Sequence, residues 1–124
     1  MYERKTVEKM LENWGNAVEL YEIKKLEVQK LKRLNGNSEI SNYINTLVEY
    51  MEKIIIDKIN MEKYIRKLPY DQQKFLYLRY TKKYQFEKIK TIMFVSRSQI
   101  FRIKNMSIDN LITLMNCENG KRVA

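Results

Sequence analysis

The chain predicts an all-α protein, a long N-terminal helical hairpin followed by a helix-turn-helix. Three observations carry this. Three Gly and one Pro in 124 residues leave little material for turns. Leu, Ile, Lys and Glu, which helices accommodate well, are plentiful. Apolar residues recur at spacings of three and four through most of the sequence. A hydrophobic share of 44% is ordinary for a folded chain and argues against global disorder.

Thr6 to Leu34 reads as the first helix. Val7, Met10, Leu11, Trp14, Val18 and Tyr21 fall on one face, and Ile23, Val28, Leu31 and Leu34 continue the stripe in a shifted register. Gly15 inside this run weakens it by about 1 kcal/mol relative to Ala. Asn35-Gly36-Asn37-Ser38 then breaks the pattern, with Gly36 suited to a left-handed C-cap and Ser38 or Ser41 to capping the next helix. The second helix runs from Glu39 to Lys67, its inner face supplied by Ile40, Ile44, Leu47, Met51, Ile54, Ile55, Ile59 and Ile65. At 1.5 Å per residue it spans about 40 Å, more than a small core needs. The two stripes either satisfy each other in an antiparallel hairpin or leave surface for a second copy, a homodimer.

Leu68-Pro69-Tyr70-Asp71 marks the boundary between a hairpin, residues 1–67, and a helix-turn-helix region, residues 68–115, because Pro disfavours helical geometry in the residue before it. Asp71 to Tyr80 forms a helix with Phe75 and Leu78 inward, and Gln85 to Ile92 a second with Phe86 and Ile89 inward. Ser96 to Met115 forms a third, carrying Ile100, Ile103, Ile108, Leu111 and Leu114 on its apolar side. Residues 116–124 are polar and read as a flexible tail.

The formal net charge is +9, and it is unevenly spread. Up to Leu68 there are 13 Lys and Arg against 11 Asp and Glu; beyond it, 11 against 4. The second half therefore holds most of the excess positive charge, as a surface for polyphosphate would. Charge alone fits equally a solvated basic surface, an acidic partner or a membrane surface.

Other classes are poorly served. There is no His, the single Cys117 cannot form an intramolecular disulfide, and no Cys/His ligand set exists for zinc. No Gly-rich phosphate loop is present, and Asp and Glu occur mainly among helix charges. No enzyme, metal or cofactor is expected. No run of about 18 apolar residues suits a membrane span, and Met-Tyr-Glu-Arg-Lys lacks the apolar stretch of a signal peptide. A cytoplasmic location is the expectation.

The sharpest local signal is Ser96-Arg97-Ser98-Gln99. Ser at the N-cap with Gln three residues later is a capping box, in which each side chain serves the other's free backbone N–H. It starts a helix immediately after a short turn, the helix-turn-helix arrangement whose second helix meets base edges in the major groove. With Ile100 and Ile103 inward, Arg97, Ser98, Phe101, Arg102 and Asn105 lie outward. Arg97 and Arg102 suit guanine, Ser98, Gln99 and Asn105 suit bases or phosphates, and Phe101 suits a thymine methyl. Gln99 is shared with the capping box. Lys82, Lys83, Lys88, Lys90 and Lys104 are candidate phosphate contacts, with solvation the equal alternative.

From Leu68-Pro69 through Leu78-Arg79-Tyr80, Ile89, Met93, Val95-Ser96-Arg97-Ser98 and Ile100, the sequence resembles the promoter-binding (region 4) domain of sigma factors. More narrowly, Ser96 to Ile103 with Ser107, Ile108 and Leu111 resembles the RinA/ArpU-type regulators of phage late genes. This resemblance implies a sequence-specific DNA-binding transcription regulator of phage or prophage origin, with double-stranded DNA as partner and RNA polymerase as a further candidate partner. A small terminase subunit for phage DNA packaging, or a sigma-like module that grips RNA polymerase, are the alternatives. Arg79 and Tyr80 then have packing and helix-end roles. Two residues depart from the family: Phe94 stands where Gly is usual in the turn, and Lys90 where a small Ala is usual. Phe94 implies either strain or a different turn.

Overall fold

The computed structural model describes residues 2–34 and 37–123, with side chains through residue 118. The order is α1 (Arg4–Lys32), α2 (Ser38–Ile65), α3 (Tyr70–Leu76), a π-helical turn (Tyr77–Thr81), α4 (Phe86–Met93) and α5 (Arg97–Val123). There is no strand among the described residues. No helix is long and apolar enough to cross a membrane among them.

Lys30 and Lys32 in the last turn of α1 complement its negative dipole end. Gly36 lies outside the described residues. The cap of α2 is neither Ser38 nor Ser41: Asn37, in extended backbone, accepts the Ile40 N–H at 3.0 Å. Asn favours this position as strongly as Ser, and it is the residue whose backbone stands just outside the helix. Before α3, Gln73 Nε2 donates to the Leu68 carbonyl at 2.7 Å and closes the Pro69 turn.

One apolar core joins α1 and α2 to the C-terminal helices. Val7 and Leu11 of α1 and Met61 and Ile65 of α2 are buried together with Phe75, Leu76, Ile89, Ile100, Ile108, Leu111 and Met115. Each such side chain, fully buried, contributes about 1.5–3 kcal/mol. The change at Leu68 is thus a turn in the chain and not a break in the core. Among the described residues, two polar side chains lie inside. Ser107 Oγ donates to the Ile103 carbonyl at 2.6 Å, and Gln72 Oε1 accepts from Asn110 Nδ2 at 2.9 Å, tying α3 to α5. A smaller cluster between α1 and α2 gathers Val28, Leu47 and Met51.

Several expected inward residues are outside. Val18 and Ile23 of α1 are exposed, as are Leu34 just beyond it and Ile55 and Ile59 of α2. Two packed helices each cover only one side of the other, so stripes wider than that contact stay in solvent. Phe86 is half-buried. The polar segment from Asn116, expected as a tail, continues α5 to Val123, and Asn116 Oδ1 accepts the Tyr2 N–H at 2.9 Å.

Gly15 has a different meaning from the weakness expected of it. A Cβ on Gly15 would stand 2.1 Å from the Tyr80 carbonyl oxygen. Lys82 N–H reaches back to the Tyr77 carbonyl, a π-type bond that widens the helix here. The widened turn packs against α1, and only a residue without a side chain lets the two backbones approach so closely.

Candidate nucleic-acid interface

α4 and α5 are joined by Phe94, Val95 and Ser96. Val95 N–H bonds to the Lys90 carbonyl at 3.2 Å and Phe94 N–H to that of Thr91 at 3.4 Å, the paired bonds of a Schellman motif. Phe94 occupies the left-handed position that this motif requires, at φ 55° and ψ 46°, and its side chain is 93% exposed. Of the two outcomes expected for a residue replacing Gly, the turn keeps the Gly geometry and Phe94 carries the strain.

α5 starts at the expected place. Gln99 Oε1 accepts the Ser96 N–H at 2.9 Å, and Ser96 Oγ accepts the Gln99 N–H at 3.2 Å. This reciprocal pair fixes the first turn of α5. Ile100 and Ile103 are buried behind it, while Arg97, Ser98, Arg102 and Asn105 are exposed and Phe101 is on the exposed side.

The aromatic residues organise the cations. Phe86 meets Phe101 edge to face, with centroids 5.1 Å apart. The Arg79 guanidinium lies over the Phe86 ring at 4.6 Å and Lys104 Nζ over the same ring at 5.5 Å. Arg97 stands 5.9 Å from the Phe101 centroid. Each contact supports a cation without consuming its hydrogen-bond donors. Between the first turns of α4 and α5 is a depression of about 190 Å³, lined by Gln85, Phe86, Lys90, Arg97 and Phe101 among others.

The remaining candidates divide. Lys82 and Lys88 lie over the rings of Tyr77 and Tyr84, with ammonium groups on the surface. Lys90 pairs with Glu87 at 3.0 Å, and Lys83 reaches Glu19 of α1 at 3.7 Å, away from the α4–α5 cluster. Gln99 is occupied by the cap. Asn105 accepts from Arg4 Nη2 at 2.6 Å, and Arg4 Nη1 also pairs with Asp109 at 2.9 Å. The structure therefore gathers Arg97, Ser98, Phe101, Arg102 and Lys104 at one end of α5.

Two contributors were not legible as such. Arg79 also donates to the Tyr84 carbonyl at 3.1 Å, fixing the loop before α4. Its packing role was foreseen, but its cation–aromatic contact was not. Arg4 touches α5 only through the tertiary fold, and nothing local to it signals this. Half-burial raises the Tyr80 phenol above its ordinary pKa, and Glu8 adds to the effect.

Comparison with known proteins gives no match to a family model, a curated protein or a solved structure, so the reading of this surface rests on its geometry and chemistry.

Proposed function

We propose that this protein is a sequence-specific DNA-binding regulator of transcription that reads duplex DNA with the first turns of α5. The observation that carries the reading is the reciprocal Ser96–Gln99 cap placed directly after a Schellman turn, with Arg97, Ser98, Phe101 and Arg102 turned to solvent from the helix it starts. A helix about 10–12 Å across fits a major groove about 12 Å wide. Arg97 and Arg102 offer forked donors to guanine, and Phe101 an apolar edge to a thymine methyl. Lys82, Lys88 and Lys104 supply phosphate contacts. The positive excess beyond Leu68 supports the same reading, and the resemblance of Ser96 to Ile103 to RinA/ArpU-type regulators is the ground for proposing phage or prophage genes as its targets.

The test begins by selecting a preferred site for the full-length protein from a random duplex pool, then titrating it at several salt concentrations. Affinity should fall with salt by about 0.9 log units per log unit for each phosphate neutralised. Arg102→Ala should weaken the selected site by about 1–3 kcal/mol with unchanged circular dichroism. Salt-insensitive or undetectable binding, or equal affinity for a doubly substituted Arg97→Ala, Arg102→Ala protein, would overturn the proposal.

A further inference from the structure

The outer face of α2, opposite the one that packs on α1, carries a pattern that the fold does not use. Glu49, Glu52, Ile56, Ile59, Lys63 and Arg66 follow one another at spacings of three, four, three, four and three, the a and d positions of a heptad seam. All six are exposed, Ile56 at 56% and Ile59 at 48%. The residues that α2 buries, Leu47, Met51, Met61 and Ile65, lie on its other side. Among the described residues, none of Glu49, Glu52, Lys63 and Arg66 forms an ion pair within the chain.

The order along the seam is acidic, apolar, basic, and such a sequence is complementary to itself when reversed. We infer that α2 is a homodimer interface, pairing antiparallel with α2 of a second copy about a two-fold axis between Asp57 and Lys58. In that register Ile56 packs on Ile59 of the partner subunit. Glu52 meets Lys63 of the partner subunit, and Glu49 meets Arg66 of the partner subunit. Because a two-fold contact occurs twice, four ion pairs flank four isoleucines. A parallel pairing in register would oppose like charges at every flanking layer, so the charges select the orientation. The seam runs about 25 Å, from 1.5 Å per residue between Glu49 and Arg66. Nothing in this depends on DNA reading, and sedimentation without DNA tests it separately.

The test is sedimentation velocity of the full-length protein across about 1–200 µM, a range suited to a short, weak interface. The set comprises wild type, Glu52→Lys, Lys63→Glu, the protein carrying both substitutions, and an equimolar mixture of the two single variants. Wild type should form dimers. Each single reversal turns two attractions into two repulsions and should raise the dissociation constant at least about tenfold. The double variant restores opposite charges across the axis, and the mixture does so between unlike chains, so both should return to within about threefold of wild type. Circular dichroism should not change, since both positions are exposed. A wild-type monomer throughout, an assembly larger than two, dimers indifferent to the single reversals, or failure of the double variant and the mixture to recover would each overturn the interface.

Discussion

Gly15→Ala sets helix propensity against tertiary packing, and the two predict opposite signs. Propensity alone makes Ala better than Gly inside a helix by about 1 kcal/mol. The added methyl, however, would lie 2.1 Å from the Tyr80 carbonyl oxygen, 2.6 Å from its carbon and 3.1 Å from the Tyr80 Cβ, where ordinary contact begins at 3.4 Å. The obstruction is backbone, which cannot rotate away as a side-chain tip can. Relief requires α1 and the π turn to separate by about 1 Å, and a gap of that size forfeits a quarter to a half of each contact it opens. Leu11, one turn away on α1, is fully buried in the shared core and would lose contacts. Overpacking of this kind costs about 3 kcal/mol, the upper end of its usual range. Less the propensity gain, the variant should be about 2 kcal/mol less stable. Urea unfolding of the full-length protein followed by circular dichroism measures this, with an unchanged denaturant slope showing that the unfolded state is unaltered. A variant as stable as wild type, or more stable, would refute the argument that close backbone approach selects Gly at this position.

Ser96→Ala should cost about 0.5–2 kcal/mol, because the Gln99 N–H loses its acceptor at the start of α5; thermal unfolding unaltered by the change would count against the cap's energetic role. Phe94→Gly should stabilise the protein by about 0.5–1 kcal/mol, the relief of left-handed geometry exceeding the greater chain entropy of Gly. Its side chain is 93% exposed, so little packing is lost, and destabilisation in the same assay would contradict this account. Burial of the Glu62 carboxyl opposes its charge, but hydrogen bonds from Lys58 and Trp14, with the Lys58 and Arg66 charges, outweigh it and lower the pKa. A depressed carboxyl pKa adds stability that is present above the unfolded value, about 4.3, and lost as pH falls through the folded value. Glu62→Gln should therefore flatten the acid limb of a stability–pH profile, and parallel profiles for the two proteins would exclude the effect.

The sequence by itself determined that the protein is helical, roughly where its helices lie, and where α5 begins. These properties are settled within a turn or two of chain. Ser96 and Gln99 need only each other to satisfy two backbone donors, and the spacing that turns Ile100 and Ile103 inward turns Arg97, Ser98 and Arg102 outward wherever the helix is placed. Phe94 was legible as a conflict for the same reason, since a short turn dictates its backbone before any packing exists. The N-cap of α2 escaped because Asn37, Ser38 and Ser41 all suit the role, and backbone geometry decides among them. Only the tertiary structure decided that α1, α2 and the C-terminal helices share one core, and that Val18, Ile55 and Ile59 stand outside it. It alone turned Gly15 from a helix defect into a contact site, and placed Asn105 under Arg4. Helical periodicity states which residues share a face, but which faces are covered depends on segments distant in the chain. Burial, close approach and long-range ion pairs arise only when those segments meet.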